Sequence, residues 1–166
     1  MDLEQELPLI KEIRNEEIKE KVKKCYEIAM KRSRWKSLEE IPFTLLIKNA
    51  YSYKEHVNNV TKMAYEVGKI KNLSLDVLLA GALLHDIGKL LEYEKKEGKT
   101  KKSSMGKYIR HPAIGAALAI EVGLDEKLVN IIYAHSKEGE HVERCEEAIV
   151  IHHCDFIDFE IAKVRK

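Results

Sequence analysis

Apolar residues recur along most of this chain at the three-and-four spacing of an α-helix, and strict alternation is nearly absent. Ile18, Val22, Cys25, Tyr26 and Ala29 form one such stripe and predict a charged first helix over about Lys11–Arg32. Trp35–Phe43, which contains Pro42, reads as a connection. A second helix is expected after Ser52, which makes a capping-box pattern with Glu55. Val57, Val60, Met63, Ala64 and Val67 supply its apolar face, and Gly68 and Asn72 fall near its end. Ser74 caps a third helix, Leu75 to about Asp86, so apolar on all sides that it must be central.

Glu92–Arg110 breaks this rhythm. It carries Lys95, Lys96, Lys99, Lys101, Lys102, Lys107 and Arg110 against Glu94 and Glu97, with two glycines and two serines. The expectation is a basic loop, with room for a short hairpin, that is either simply solvated or a substrate lid. Pro112 then opens a helix in its first turn, ending near Gly123. Asp125 caps another through about His135, and a last helix covers roughly Val142–Val164. No internal repeat or linker interrupts the series. The expected fold is a single-domain all-α bundle, in which residues 1–50 (first helix and connection) belong with residues 51–166.

Composition narrows the classes. With 45% hydrophobic and 34% charged residues over 166 positions, the chain is neither disordered nor collagenous. The longest apolar runs, such as Val77–Leu84, are too short to span a bilayer. Met1–Glu6 is acidic where a signal peptide would be basic, so no membrane and a cytoplasmic setting are expected. Cys25, Cys145 and Cys154 are odd in number and form no CxxC pair, which reads as reduced thiols. A net charge of +1 leaves any anion binding to a local patch.

The histidines fall between residues 56 and 153, several of them on apolar stripes. His56 shares a face with Val60, Met63 and Val67. His85 follows Leu78 and Ala82, and Asp86 follows Leu79 and Ala82. His135 continues Leu128 and Ile131, while Asp155 continues Ala148 and Ile151 and precedes Phe159. One histidine on such a face is ordinarily a hydrogen-bonded core residue. Several, together with two inward carboxylates, ask for a divalent cation, because unpaired buried carboxylates are costly. Imidazole with carboxylate and without thiolate suits Mn, Fe, Ni, Co or Zn at a hydrolytic site. His85 and Asp86 can reach one ion because the chain turns at Gly88, and His152 shares a helical face with Asp155.

His56, the His85-Asp86 pair within HDIGK, and Asp155 reproduce the ordered H…HD…D signature, and the chain from about residue 50 to 160 resembles the HD-domain phosphohydrolases. His111 in RHPAIGA and His135 in IIYAHS fall where two-metal members carry two further histidines. The resemblance implies a helical bundle with a buried site. His56, His85, Asp86 and Asp155 would bind a first metal, and Asp86 would bridge to a second held by His111 and His135. One or two divalent ions per chain are implied, with Mn, Fe, Ni, Co, Zn and Mg all open. Lys89, one turn beyond Asp86, is expected to join Asp86 in catalysis by holding a phosphate oxygen. Arg110 and Lys107 are further candidates for binding phosphate. His152 and His153 adjoin Asp155 and are expected to support the site; Asp158 is expected to support it or lie at the surface, and His141 to be exposed.

The implied activity is hydrolysis of a nucleotide-like phosphoester, with a two-metal phosphodiesterase favoured over a one-metal nucleotidase. The alternative is a nucleotide-binding signalling module without turnover. The expected partner is a phosphorylated small molecule, with nucleic acid a possible but less favoured one. The first helix either closes the bundle or forms the seam of a homo-oligomer. The GYP tripeptide of one cyclic-dinucleotide-cleaving branch is absent, and Ser136 follows His135 where many two-metal relatives have His or an acidic residue.

Overall fold

The computed structural model describes residues 2–165. The short helix α1 (Leu3–Glu6) and a 3-10 turn, Pro8–Glu12, place Leu7, Ile10 and Ile13 in the core with no exposure. Helix α2 (Glu16–Arg32) begins later than its apolar stripe predicts. The reason is Asn15, whose side chain caps the Ile18 N–H. Its own N–H and that of Arg14 go to the Asp76 carboxylate at 3.1 and 2.8 Å. Val22, Cys25, Tyr26 and Ala29 are buried, so this helix turns its stripe into the bundle.

A connection containing the 3-10 turn Leu38–Glu40 leads to α3 (Tyr53–Lys71). Ser52 Oγ accepts from the Glu55 N–H (3.2 Å), and Asn72 closes the helix at φ +54°, a left-handed C-cap. Helix α4 (Leu75–Leu84) packs against α2, α3, α7 and α8, which accounts for its apolar character all round. It ends before the expected Asp86. Residues 85–88 form a tight turn into α5 (Lys89–Glu92), so His85 and Asp86 project from a turn and not from the helix barrel. At Gly88 the backbone of the next segment comes so close that a Cβ would lie 2.1 Å from the His111 carbonyl oxygen. A residue without a side chain is required there, and it brings His111 against the turn.

The basic segment holds the hairpin for which it left room. Strands β1 (Tyr93–Lys96) and β2 (Lys99–Lys102) pair antiparallel through a two-residue loop, with Glu97 at φ +55° and Gly98 at φ +75°. Helix α6 (His111–Glu121) follows with Pro112 in its first turn. Asp125 caps α7 (Glu126–Ala134), its Oδ1 accepting from the Leu128 N–H at 2.9 Å. The final helix α8 (Glu146–Val164) starts four residues later than expected. The residues before it are engaged elsewhere: the Arg144 guanidinium donates to the carbonyls of Ala134, the last residue of α7, and of Ser136 just beyond it, and the Cys145 N–H donates to Asn130. The result is an all-α bundle with one small two-stranded sheet, whose core joins residues from both the N-terminal segment and α3–α8.

Candidate metal centre

Five elements deliver the site. His56 lies in the second turn of α3, His85 and Asp86 in the turn after α4, His111 at the start of α6, His135 just past α7, and Asp155 midway along α8. The four imidazoles and Asp86 are buried, and Asp155 is partly so.

Each imidazole has its Nδ1 hydrogen-bonded to an oxygen. His85 Nδ1–H donates to the Ala82 carbonyl and His135 Nδ1–H to the Ile132 carbonyl, both at 2.7 Å. His56 Nδ1–H donates to Asp158 at 2.7 Å and His111 Nδ1–H to Glu92 at 2.8 Å. A carbonyl can only accept, so the tautomer of His85 and His135 is fixed, and their Nε2 lone pairs are left to face inward. All four Nε2 atoms converge on Asp86. One carboxylate oxygen faces His56 (3.2 Å) and His85 (3.5 Å), and the other faces His111 (3.1 Å) and His135 (3.5 Å). Asp155 joins through His56, at 3.1 Å.

Two groups of three that could each hold a metal ion result, His56–His85–Asp86 and Asp86–His111–His135, each with its candidate donor atoms within 4.8 Å of one another. Asp86 Oδ1 and His135 Nε2 are buried without a hydrogen-bond partner. An orphaned carboxylate oxygen beside an orphaned imidazole nitrogen costs free energy unless something takes both lone pairs. A divalent cation does so, and the donor set of nitrogen and oxygen fits one.

Charge in the cluster follows from who faces whom. Burial opposes ionisation of Asp86, but Lys89, His85 and His111 outweigh it and hold the carboxyl well below its usual range. Burial likewise opposes charge on His56, yet hydrogen bonds to Asp155, Asp158 and Asp86 raise it to about 10. Burial alone dominates at His85, whose pKa falls to about 4. His85 is therefore a neutral donor. With no ion bound, the surrounding carboxylates favour a proton on His56; an ion held at its Nε2 would take that proton's place.

A cavity of about 440 Å³ opens onto the cluster, reaching His111, Asp155 and Lys89, with Phe43, Phe156 and Phe159 on its wall. Lys89 Nζ is tied to the Asp86 carboxylate and to the Phe43 carbonyl (2.6 Å). Arg110 lines the same cavity and pairs with Glu138 at 3.2 Å. Lys107 does not line it and is exposed. His152 donates Nδ1–H to the His135 carbonyl (2.6 Å), whereas His153 and His141 are exposed.

Asp158 turns out to be a support: besides His56 it accepts from the Tyr51 hydroxyl and from Asn59 Nδ2 (3.2 Å). Glu92 was hidden in the sequence. It is 3% exposed and holds His111 through both ring and backbone N–H, and its other oxygen meets Lys102 at 3.4 Å. The one signal for it was an acidic residue closing the apolar pair Leu90–Leu91.

Among known proteins, the chain is similar to a tRNA (cytidine(56)-2'-O)-methyltransferase of Thermoplasma volcanium, with 31% identity over 84 residues, 51% of this chain and 21% of that protein. It is similar also to ribonuclease Y of Pseudothermotoga lettingae, with 32% identity over 97 residues, 58% of this chain and 16% of that protein. The chain thus spans about a fifth or less of the length of these curated relatives. No solved structure matches it. The segment that carries every one of these inward-facing imidazoles and carboxylates, residues 53–159, matches the HD domain, and the chain belongs to that family of metal-dependent phosphohydrolases.

Proposed function

We propose that the protein hydrolyses a phosphoester of a nucleotide or nucleotide-like substrate with two divalent ions, in the manner of a phosphodiesterase. The observation that carries this is the division of Asp86, with one imidazole pair on each carboxylate oxygen. A one-metal nucleotidase has no need of the second pair. In this reading His56, His85, Asp86 and Asp155 hold one ion, and Asp86, His111 and His135 hold the other. The ions supply Lewis acidity toward phosphoryl oxygens and a source of hydroxide near neutral pH.

The chain's own groups do the rest. Lys89 sits one turn beyond Asp86 at the cavity wall, where its ammonium offsets negative charge on a phosphoryl oxygen. Arg110 offers a planar pair of donors to a second oxygen once its contact with Glu138 gives way. Lys107, outside the cavity, is suited to a more distant phosphate. The phenylalanine wall excludes water and gives a base or sugar an apolar surface. The open cavity speaks against an ion that merely pins the bundle. One of the two relatives is named as a ribonuclease, which supports a diester substrate.

Elemental analysis of tag-free protein, purified without chelator, should give about two divalent ions per chain. The Asp86→Ala variant should lose both the ions and hydrolysis of bis(p-nitrophenyl) phosphate while keeping its helical spectrum. The His111→Ala/His135→Ala double variant should lose one ion. Full activity and unchanged metal content in that double variant would sink the two-metal model.

A further inference from the structure

Between residues 93 and 110 the surface carries seven cationic side chains against two glutamates, a local excess greater than the net +1 of the whole chain. The hairpin gives this charge a geometry. Its register pairs Tyr93 with Lys102, Glu94 with Lys101, Lys95 with Thr100 and Lys96 with Lys99. Directly opposed residues share a face and successive ones alternate. Lys95 therefore stands two positions out from Tyr93–Lys102 on the same face, and Tyr93 and Lys102 line the metal cavity. Lys96 and Lys99 oppose each other on the other face, a like-charge pair that weakens an isolated hairpin. Among the described residues Lys95, Lys96 and Lys99 have no ion-pair partner, since Glu94 meets Lys101 (4.0 Å) and Glu92 meets Lys102.

Beyond β2 the same segment exposes Tyr108 almost completely, at 88%, between Lys107 and Arg110. An aromatic ring left in water gains nothing from folding. Among cations it is a flat surface on which an unpaired base can stack. The cations also stand on both faces of the hairpin. A flexible polyanion can wrap such an arrangement, whereas a planar lipid surface can touch only one side.

We infer that the β1–β2 hairpin and the segment through Arg110 form a track for single-stranded nucleic acid that leads one phosphodiester into the cavity before Asp86. Binding along the track stands on the hairpin alone, while cleavage at its end rests on the hydrolase reading above. A duplex does not serve, because a polymer with a persistence length of about 50 nm cannot bend into a cavity of this size.

The test uses the full chain, metal-free in chelator, titrated into short fluorescently labelled oligouridylate and oligothymidylate and followed by anisotropy. Saturable binding is expected, with affinity falling linearly in log–log terms as salt rises. The Lys95→Gln/Lys99→Gln/Lys101→Gln variant should flatten that slope by about 2, at roughly 0.7 per lysine on a single strand. The Tyr108→Ala variant should bind about fivefold or more weakly at fixed salt. All four positions are at the surface, and unchanged melting of the variants checks their folding. Equal binding of the two oligonucleotides supports recognition through backbone and base faces; tighter binding of oligouridylate supports the track and adds a 2′-hydroxyl contact.

Absence of binding at low salt, wild-type binding by the variants, or preference for the duplex overturns the proposal. So does displacement of the strand by phosphatidylserine vesicles that sediment the wild-type protein. Strand binding without metal-dependent turnover would leave the track standing and remove the hydrolase reading. Hydrolysis of bis(p-nitrophenyl) phosphate without strand binding would do the reverse.

Discussion

Asp158 and Glu92 never face the centre of the cluster, yet each decides where an imidazole points. Asp158 fixes His56 and is itself held by Tyr51 and Asn59; Glu92 fixes His111 and is held by Lys102. Carboxylates behind a metal-binding histidine typically govern about 10–100-fold in metal affinity. Asp158→Ala is therefore expected to weaken one ion by that factor, and Glu92→Ala the other, each sparing its neighbour. Calorimetric titration of the apo-protein separates the two. Equal loss at both ions in both variants would mean that the cluster acts as a single site. The cysteines give a second test at this scale. Burial pushes the thiol of Cys25 up to about 12 and that of Cys154 up to about 11, and both are covered. A thiolate-directed reagent at pH 8 should leave both unmodified in the folded protein and modify all three cysteines in denaturant. Rapid labelling of either buried thiol without denaturant would contradict this packing.

At the scale of elements, the end of α4 is what aims His85 and Asp86. Its Leu83 carbonyl has the Tyr26 hydroxyl as donor (2.5 Å), and Tyr53 completes the pair at 2.9 Å. Tyr26→Phe preserves the packing and removes the donor from a buried carbonyl, which should cost roughly 1–3 kcal/mol. Urea denaturation would measure it; a loss below the error of the method would show that water replaces the hydroxyl. Helices are also where the sequence was most legible. The stripe Ala148–Ile151–Asp155 continues a buried face, so a carboxylate on it stands out. Helix starts were less so. Asn15 and Arg144 are engaged by Asp76 and by the end of α7, residues distant in sequence or outside the periodic pattern. Glu92 escaped for a similar reason: its bond to His111 crosses a hairpin, and such a bond leaves no trace in helical spacing. Five of the six inward-facing ligand-type residues were readable because they lie on an apolar stripe, whereas His111 opens its helix and was signalled by the resemblance of RHPAIGA alone. Of the imidazoles' Nδ1 partners only Asp158 was in view, since two are backbone carbonyls and Glu92 lies outside the helical pattern.

For the molecule as a whole, the site is a junction. α3, the turn after α4, α6, the residue after α7, and α8 each contribute a group to one small volume. Without an ion the bundle must hold Asp86, Asp155 and Asp158 close together and leave Asp86 Oδ1 and His135 Nε2 without partners. Those groups lie far apart in the unfolded chain, so an ion that they bind jointly binds the native state selectively. Binding of that kind raises the unfolding free energy by about 4 kcal/mol when the free ion is near 1,000 times its dissociation constant. Addition of Mn, Co or Zn to chelator-treated protein should therefore raise the melting temperature, on the order of 2–4 °C for each kcal/mol evaluated at the midpoint for a chain of this size. Chelator should reverse the rise. Asp86→Ala should abolish it, because that side chain belongs to both triads, while His111→Ala/His135→Ala should retain part of it. If the melting temperature ignored every divalent ion, the converging imidazoles would be a hydrogen-bonded polar core, and Asp86→Ala would then melt no differently with chelator than without.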